Sequence, residues 1–184
     1  MTRLRLVAIV VLALAAAGCG SSSSGKSGSP TSAPSGQTTV APPGATPSES
    51  SRMICSKEAQ TDIAASLGVT ATVSTPTWVD HVYSCNYTYP QGVIALSVKE
   101  LESQAAVTAL YNSDAKTLGR RPDAVSFGQG AFITTNGSVI VRKDNKVLDI
   151  DVSKIPQNFG SPPQDRSNVA LSIAATVMSC WTGA

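Results

Sequence analysis

Residues 53–184 predict an α+β domain, with an antiparallel sheet of about five strands and flanking helices in the order α-β-β-α-β-β-β-α. Three observations carry that reading. "VYSCNYTY" at 82–89 alternates strictly, placing Tyr83, Cys85, Tyr87 and Tyr89 on one face and Ser84, Asn86 and Thr88 on the other. "GAFITTNGSVIVRKDNKVLDIDVSK" at 130–154 reads as three strands joined by Asn136-Gly137 and Asp144-Asn145 turns. Three further stretches repeat apolar residues at helical spacing.

The first helix starts near Ser56, a good N-cap. It sets Ala59, Ile63 and Leu67 on one stripe before Gly68 stops it. The alternating strand follows, and "VIALSVKEL" pairs back on it across Pro90-Gln91-Gly92. A second helix runs from about Glu102 to Leu118, with Ala106, Val107, Leu110, Tyr111 and Leu118 on one face and Gly119 as its cap. In the meander, a two-residue Asn136-Gly137 loop sets Thr135 opposite Ser138 and Phe132 opposite Val141. A second loop at Asp144-Asn145 sets Val141 opposite Leu148 and Val139 opposite Ile150. Phe132, Val139, Val141, Leu148 and Ile150 then share a face. Arg142, Asp149 and Asp151 take the other, which also carries Ile133, Ile140 and Val147 and is expected to be partly covered. The last helix follows "SPPQDRS" and aligns Val169, Ile173, Val177 and Cys180/Trp181.

Ahead of the domain lie two other segments. Arg3 and Arg5 precede twelve apolar residues, Leu6–Ala17, which span about 18 Å of helix against the ~30 Å of a bilayer core. That length, behind a basic start and ahead of small residues, reads as a cleaved signal peptide over 1–18. "AAGC" at 16–19 resembles a bacterial lipobox, with Ala16 where leucine is usual, and this resemblance implies acylation of Cys19 and a lipid anchor in the membrane. Residues 19–52 are Ser, Gly, Thr, Pro and Ala with few exceptions and no aromatic residue, so they read as a disordered tether. Its coil reach is about 30 Å and its stretched reach ~100 Å. The domain would thus lie on the extracytoplasmic side of the cell membrane.

The formal charge of +2 for the whole chain comes from residues 1–52, where Arg3, Arg5, Lys26 and Arg52 outweigh Glu49. In 53–184, ten Lys and Arg meet eleven Asp and Glu with no basic stripe, which argues against nucleic acid as a partner. The domain's three cysteines, Cys55, Cys85 and Cys180, make one bridge and one thiol in an exported protein. Cys55–Cys85 is the leading pairing, worth about 3–4 kcal/mol in the chain-entropy description. Cys55–Cys180, tying the two ends of the domain together, stands as the alternative.

Catalytic candidates are weak. His81 is the single histidine, without a nucleophile motif to serve, and reads as a solvated loop residue. Asp149 and Asp151 alternate onto one strand face about 6–7 Å apart, a spacing that suits acid–base work but equally an ordinary polar face. "FGQGAF" puts its glycines ahead of a strand, which is not a phosphate loop. No CxxC pair occurs, and one histidine with three cysteines gives no metal site and no cofactor motif. The remaining functional surface is aromatic: Trp78, Tyr83, Tyr87, Tyr89, Tyr111 and Trp181 are candidates to line a pocket between sheet and helices.

Taken with the lipobox and the tether, "ICSKEAQTDIAASLG", "YSCNYTYPQG", "FGQGAF" and "VMSCWTG" resemble a family of uncharacterised cell-envelope lipoproteins of high-GC Gram-positive bacteria. The resemblance implies an antiparallel sheet flanked by helices, and it brings no activity and no catalytic residues. The expected role is a non-catalytic module that binds or senses a lipid, a small molecule or an envelope protein. The alternatives are an interaction lipoprotein without a small ligand and, behind it, a hydrolase-like enzyme using Asp149/Asp151 or His81.

Overall fold

A computed structural model describes residues 42–122 and 125–181. The signal peptide, Cys19 and most of the tether lie outside the described residues. Within them the fold is α+β, a mostly antiparallel sheet with helices on both faces. No helix among the described residues is long and apolar enough to cross a membrane.

The chain opens with a short helix α1 (Glu49–Arg52), a 3₁₀ turn (Met53–Cys55) and helix α2 (Lys57–Leu67). Ser56 caps α2 by accepting from the Ala59 N–H, and Gly68 ends it at φ 65°. Only glycine fits there, because a Cβ would stand 1.9 Å from the Ser161 carbonyl oxygen. Strands β1 (Thr72–Val73), β2 (Thr77–Val79), β3 (Val82–Tyr89) and β4 (Gly92–Glu100) follow, then α3 (Gln104–Thr117). The meander is β5 (Gly130–Ile133), β6 (Val139–Lys143) and β7 (Lys146–Lys154). A small ribbon of β8 (Asn158–Phe159) and β9 (Gln164–Asp165) leads into α4 (Arg166–Cys180), capped by Asp165.

The sheet has seven strands, in the order β1-β3-β4-β7-β6-β5 with β2 also on β3. The sequence expectation was about five. The extra strands β1 and β2 hold two and three residues, too few to show a period of two. Helices α2 and α4 cover one face, where Ile94, Leu96, Val98, Val139, Val141, Leu148 and Ile150 are buried. Helix α3 covers part of the other face through Val107 and Tyr111, against Phe132, Ile140 and Val147.

That second layer corrects the expected register. Val139 does pair with Ile150 and Val141 with Leu148, but Phe132 pairs with Ile140 and Ile133 with Val139. The loop holds three residues rather than two. Thr134 pairs with Ser138, the Gly137 N–H reaches the Thr134 carbonyl, and Gly137 takes φ 94°. Asn136 stays out of the left-handed region and uses its side-chain oxygen to accept from the Thr134 hydroxyl and the Ser138 N–H. Thr135 is drawn off to donate to the Gly119 and Leu118 carbonyls at the end of α3. One residue of slip turns Phe132 to the α3 side and Ile133 to the other. Leu118, expected on the buried face of its helix, is 39% exposed at the α3 C-cap.

The folded part also begins before Met53. Ser48 caps α1, and both the Ser48 N–H and the Ser51 hydroxyl donate to Glu100 Oε1. Glu100 is buried at the end of β4, directly across from buried Lys146. These hydrogen bonds and the lysine charge hold its carboxyl below the ordinary range although burial pushes it up. A buried carboxylate needs such donors, and 48–51 supply them.

Cys55 and Cys85 form the disulfide, with Cα atoms 6.1 Å apart, and Cys180 is a buried free thiol. The alternative Cys55–Cys180 pairing is set aside. Replacing both Cys55 and Cys85 by Ala is expected to lower unfolding free energy by about 3–4 kcal/mol in urea titrations. Phe132→Ala is expected to cost about 3–5 kcal/mol and Leu118→Ala under about 1 kcal/mol. Equal costs for the two would refute the second core layer.

Candidate functional site

Successive residues of an α-helix are about 100° apart, so α2 has three faces. Ala59, Ile63 and Leu67 point into the core. Lys57, Gln60, Thr61 and Ala64 occupy one flank, and Glu58 and Asp62 the opposite one. After Gly68 the chain doubles back into β1, which pairs Val73 with Tyr87 and Thr72 with Thr88. A groove of about 370 Å³ results. One wall is the Lys57 flank of α2, the other is Thr70, Ala71 and Val73, and Tyr87 and Tyr89 close the bottom. That volume falls in the range of small-molecule sites.

The floor is apolar and electrically neutral. The Tyr87 hydroxyl donates to the Ile54 carbonyl at 2.7 Å. Burial, then the neighbouring tyrosines Tyr89 and Tyr83, raise its pKa. Tyr89 is 4% exposed, and burial alone pushes its hydroxyl up to about 12. Its ring meets Phe159 edge-on at 4.9 Å, and its buried hydroxyl has no hydrogen-bond partner among the described residues. The rim is polar: the Lys57 ammonium, the Gln60 amide and the Thr61 and Thr70 hydroxyls. Lys57 Nζ reaches Gln60 Oε1 only at 3.4 Å, a long bond that leaves the cation available to a ligand. Such a surface is complementary to a body with flat apolar faces and a polar or anionic end. It offers no nucleophile paired with a base.

The candidate aromatics do not share one cavity. Tyr87 and Tyr89 line the groove, and Tyr83, further along β3, is half-buried. Trp78 lies on β2, edge-on to His81 at 5.7 Å, with its Nε1–H donating to the Ala45 carbonyl. Tyr111 belongs to the opposite layer, packed edge-on against Phe132 with the Arg142 guanidinium over its ring at 4.9 Å. Trp181 is buried beyond α4, and its carbonyl accepts from Lys143. Alternation in β3 reveals Tyr87 and Tyr89, but Thr70 and Ala71 lie in the link after α2 and Val73 in a two-residue strand, so none of them gives a signal.

His81 and the preceding Asp80 form the β2–β3 turn at φ 60° and 50°, and His81 is exposed. A second cavity of about 300 Å³ lies beside this turn, bounded by Pro43, Lys99 and Ser103 among others. Asp149 and Asp151 share the α3-side face of β7, and neither lines either cavity. Their environments differ. Asp151 accepts from the Ser138 hydroxyl and the Ser153 N–H. The Asp149 carboxyl is pushed up to about 7, first by burial and then by the charges of Asp151 and Asp114.

A carboxyl with a raised folded pKa holds its proton more tightly folded than unfolded, so stability is lost as pH climbs through the folded value. Asp149→Asn is expected to leave stability unchanged below about pH 4 and to raise it by on the order of 2–4 kcal/mol above about pH 8. Urea titrations across that range check it. A difference between the two proteins that stays constant with pH would overturn the raised value.

No family model, no curated protein and no solved structure matches this chain.

Proposed function

We propose that this chain is a membrane-anchored extracytoplasmic lipoprotein whose domain binds a small amphiphilic molecule, a lipid or similar compound, without transforming it. The groove between α2 and β1–β3 carries the reading. Its floor of Tyr87, Tyr89, Ala64, Ala71 and Val73 suits an apolar body, and Lys57, Gln60, Thr61 and Thr70 suit a polar end. The tyrosines at the bottom stay neutral at physiological pH and serve as surface rather than as bases. An oxidised Cys55–Cys85 pair fits an exported protein. Anchoring runs through acylated Cys19, with the following chain as spacer.

Native mass spectrometry of the protein exported by its own host tests the binding reading. The expected result is added mass that leaves on denaturation and is absent from Ala71→Trp, whose indole fills the groove. Bound mass that survives in Ala71→Trp, or a bare chain throughout, would sink it. The anchor is checked separately, by a mature N-terminal peptide that begins at Cys19 and carries acyl mass.

A further inference from the structure

We infer that the occupant of the groove is an organic monoanion lying lengthwise, with its charged head at the start of α2 against Lys57 and its apolar body running toward Ala71 and Tyr89. The inference rests on the binding reading above and deepens it by fixing the charge and the direction of the ligand.

The direction follows from how α2 is fastened. The Cys55–Cys85 bridge and the bond from the Tyr87 hydroxyl to the Ile54 carbonyl set the start of α2 beside Cys85 and Tyr87. Val73 pairs with Tyr87 and so stands at the same end. Thr72 pairs with Thr88, which carries Ala71 and Thr70 on toward Tyr89, a few positions after the close of α2. One end of the groove is therefore Lys57, Val73 and Tyr87, and the other is Ala64, Thr70, Ala71 and Tyr89. From Lys57 to Ala64 the wall runs about 10 Å along the helix.

The charge follows from the donors left open. Lys57 is the one charged side chain among the described residues that line the groove, and no carboxylate among them neutralises it. The other rim groups are largely engaged. Gln60 donates to the Cys55 carbonyl at 2.9 Å, and the Thr61 hydroxyl donates to the Lys57 carbonyl at 2.9 Å. In the floor, the Tyr87 hydroxyl is committed to Ile54 and the Tyr89 hydroxyl is buried from solvent. An anion thus finds its cation at one end only. Lys57 is also the first residue of α2, where the helix's own partial positive charge adds to the attraction. One lysine balances one negative charge. That favours a carboxylate or a phosphodiester over a phosphomonoester, which is close to doubly charged at neutral pH.

Fluorescence titrations of the purified full chain with anilinonaphthalene sulfonate and phenylnaphthylamine test this, since the two share an aromatic body and only the first is an anion. Both are expected to bind, and both to be lost in Ala71→Trp. Lys57→Gln is expected to weaken the sulfonate about tenfold and to leave the neutral amine unchanged, while Lys57→Arg keeps the sulfonate. Far-ultraviolet circular dichroism establishes that each variant is folded. Displacement of the sulfonate by decanoate supports a free carboxylate as the head, and displacement by lysophosphatidylglycerol supports a lipid phosphodiester. Displacement by neither would overturn the monoanion. So would equal effects of Lys57→Gln on the two probes, with the groove left standing by their loss in Ala71→Trp. Probes indifferent to Ala71→Trp would sink the groove and the monoanion together.

Discussion

One short turn of chain, Met53–Cys55, decides how this domain is put together. A disulfide fastens Cys55 to Cys85 in the middle of β3, and Tyr87, two residues on, donates its hydroxyl to the Ile54 carbonyl. Two attachments to one strand fix both where α2 begins and how it is turned about its axis. Ala59, Ile63 and Leu67 then fall onto the sheet, and the remaining two flanks are forced outward. The Lys57 flank meets β1 and encloses the groove, while the Glu58 flank meets the end of α4. A helix free to roll would give neither arrangement, so the cross-link shapes the surface as well as stabilising the fold.

Much of this was legible from residue order because local signals were strong. Ser56 and Gly68 bracket α2 as capping chemistry demands, β3 spans the alternating stretch 82–89, and the β6–β7 pairing follows from its turn. The β5–β6 pairing misled because Asn136-Gly137 carries a two-residue loop signal, while the N–H and hydroxyl of Thr135 find better use on the Gly119 and Leu118 carbonyls ending α3. That competition is tertiary, and no turn preference encodes it. The groove was half visible: Tyr87 and Tyr89 stand out, but the wall of Thr70, Ala71 and Val73 comes from a link and a two-residue strand.

The two sheet faces answer differently to charge. On the face covered by α2 and α4, buried Glu100 lies across from buried Lys146 and takes hydrogen bonds from Ser48 and Ser51. A buried pair of this kind gains little net stability, but losing one member leaves a charge without compensation, which ties the start of the fold to its sheet. The α3 side mixes Phe132, Ile140 and Val147 with Arg142, Asp149 and Asp151. There the meander's packing places Asp149 beside two other carboxylates and away from water, and proton uptake relieves it.

Where the chain comes into the domain has a bearing on orientation. Ala45 is held by the Trp78 indole and Ser48 by Glu100, at the end of the sheet carrying the β2–β3 turn and the close of β4. The groove's floor lies at the other end of β3, at Tyr87 and Tyr89, some five to seven residues or roughly 16–23 Å along the strand. The point where the chain enters and the mouth of the cleft are thus at opposite ends of one strand. Whatever precedes residue 42 does not have to pass across the cleft to reach the fold.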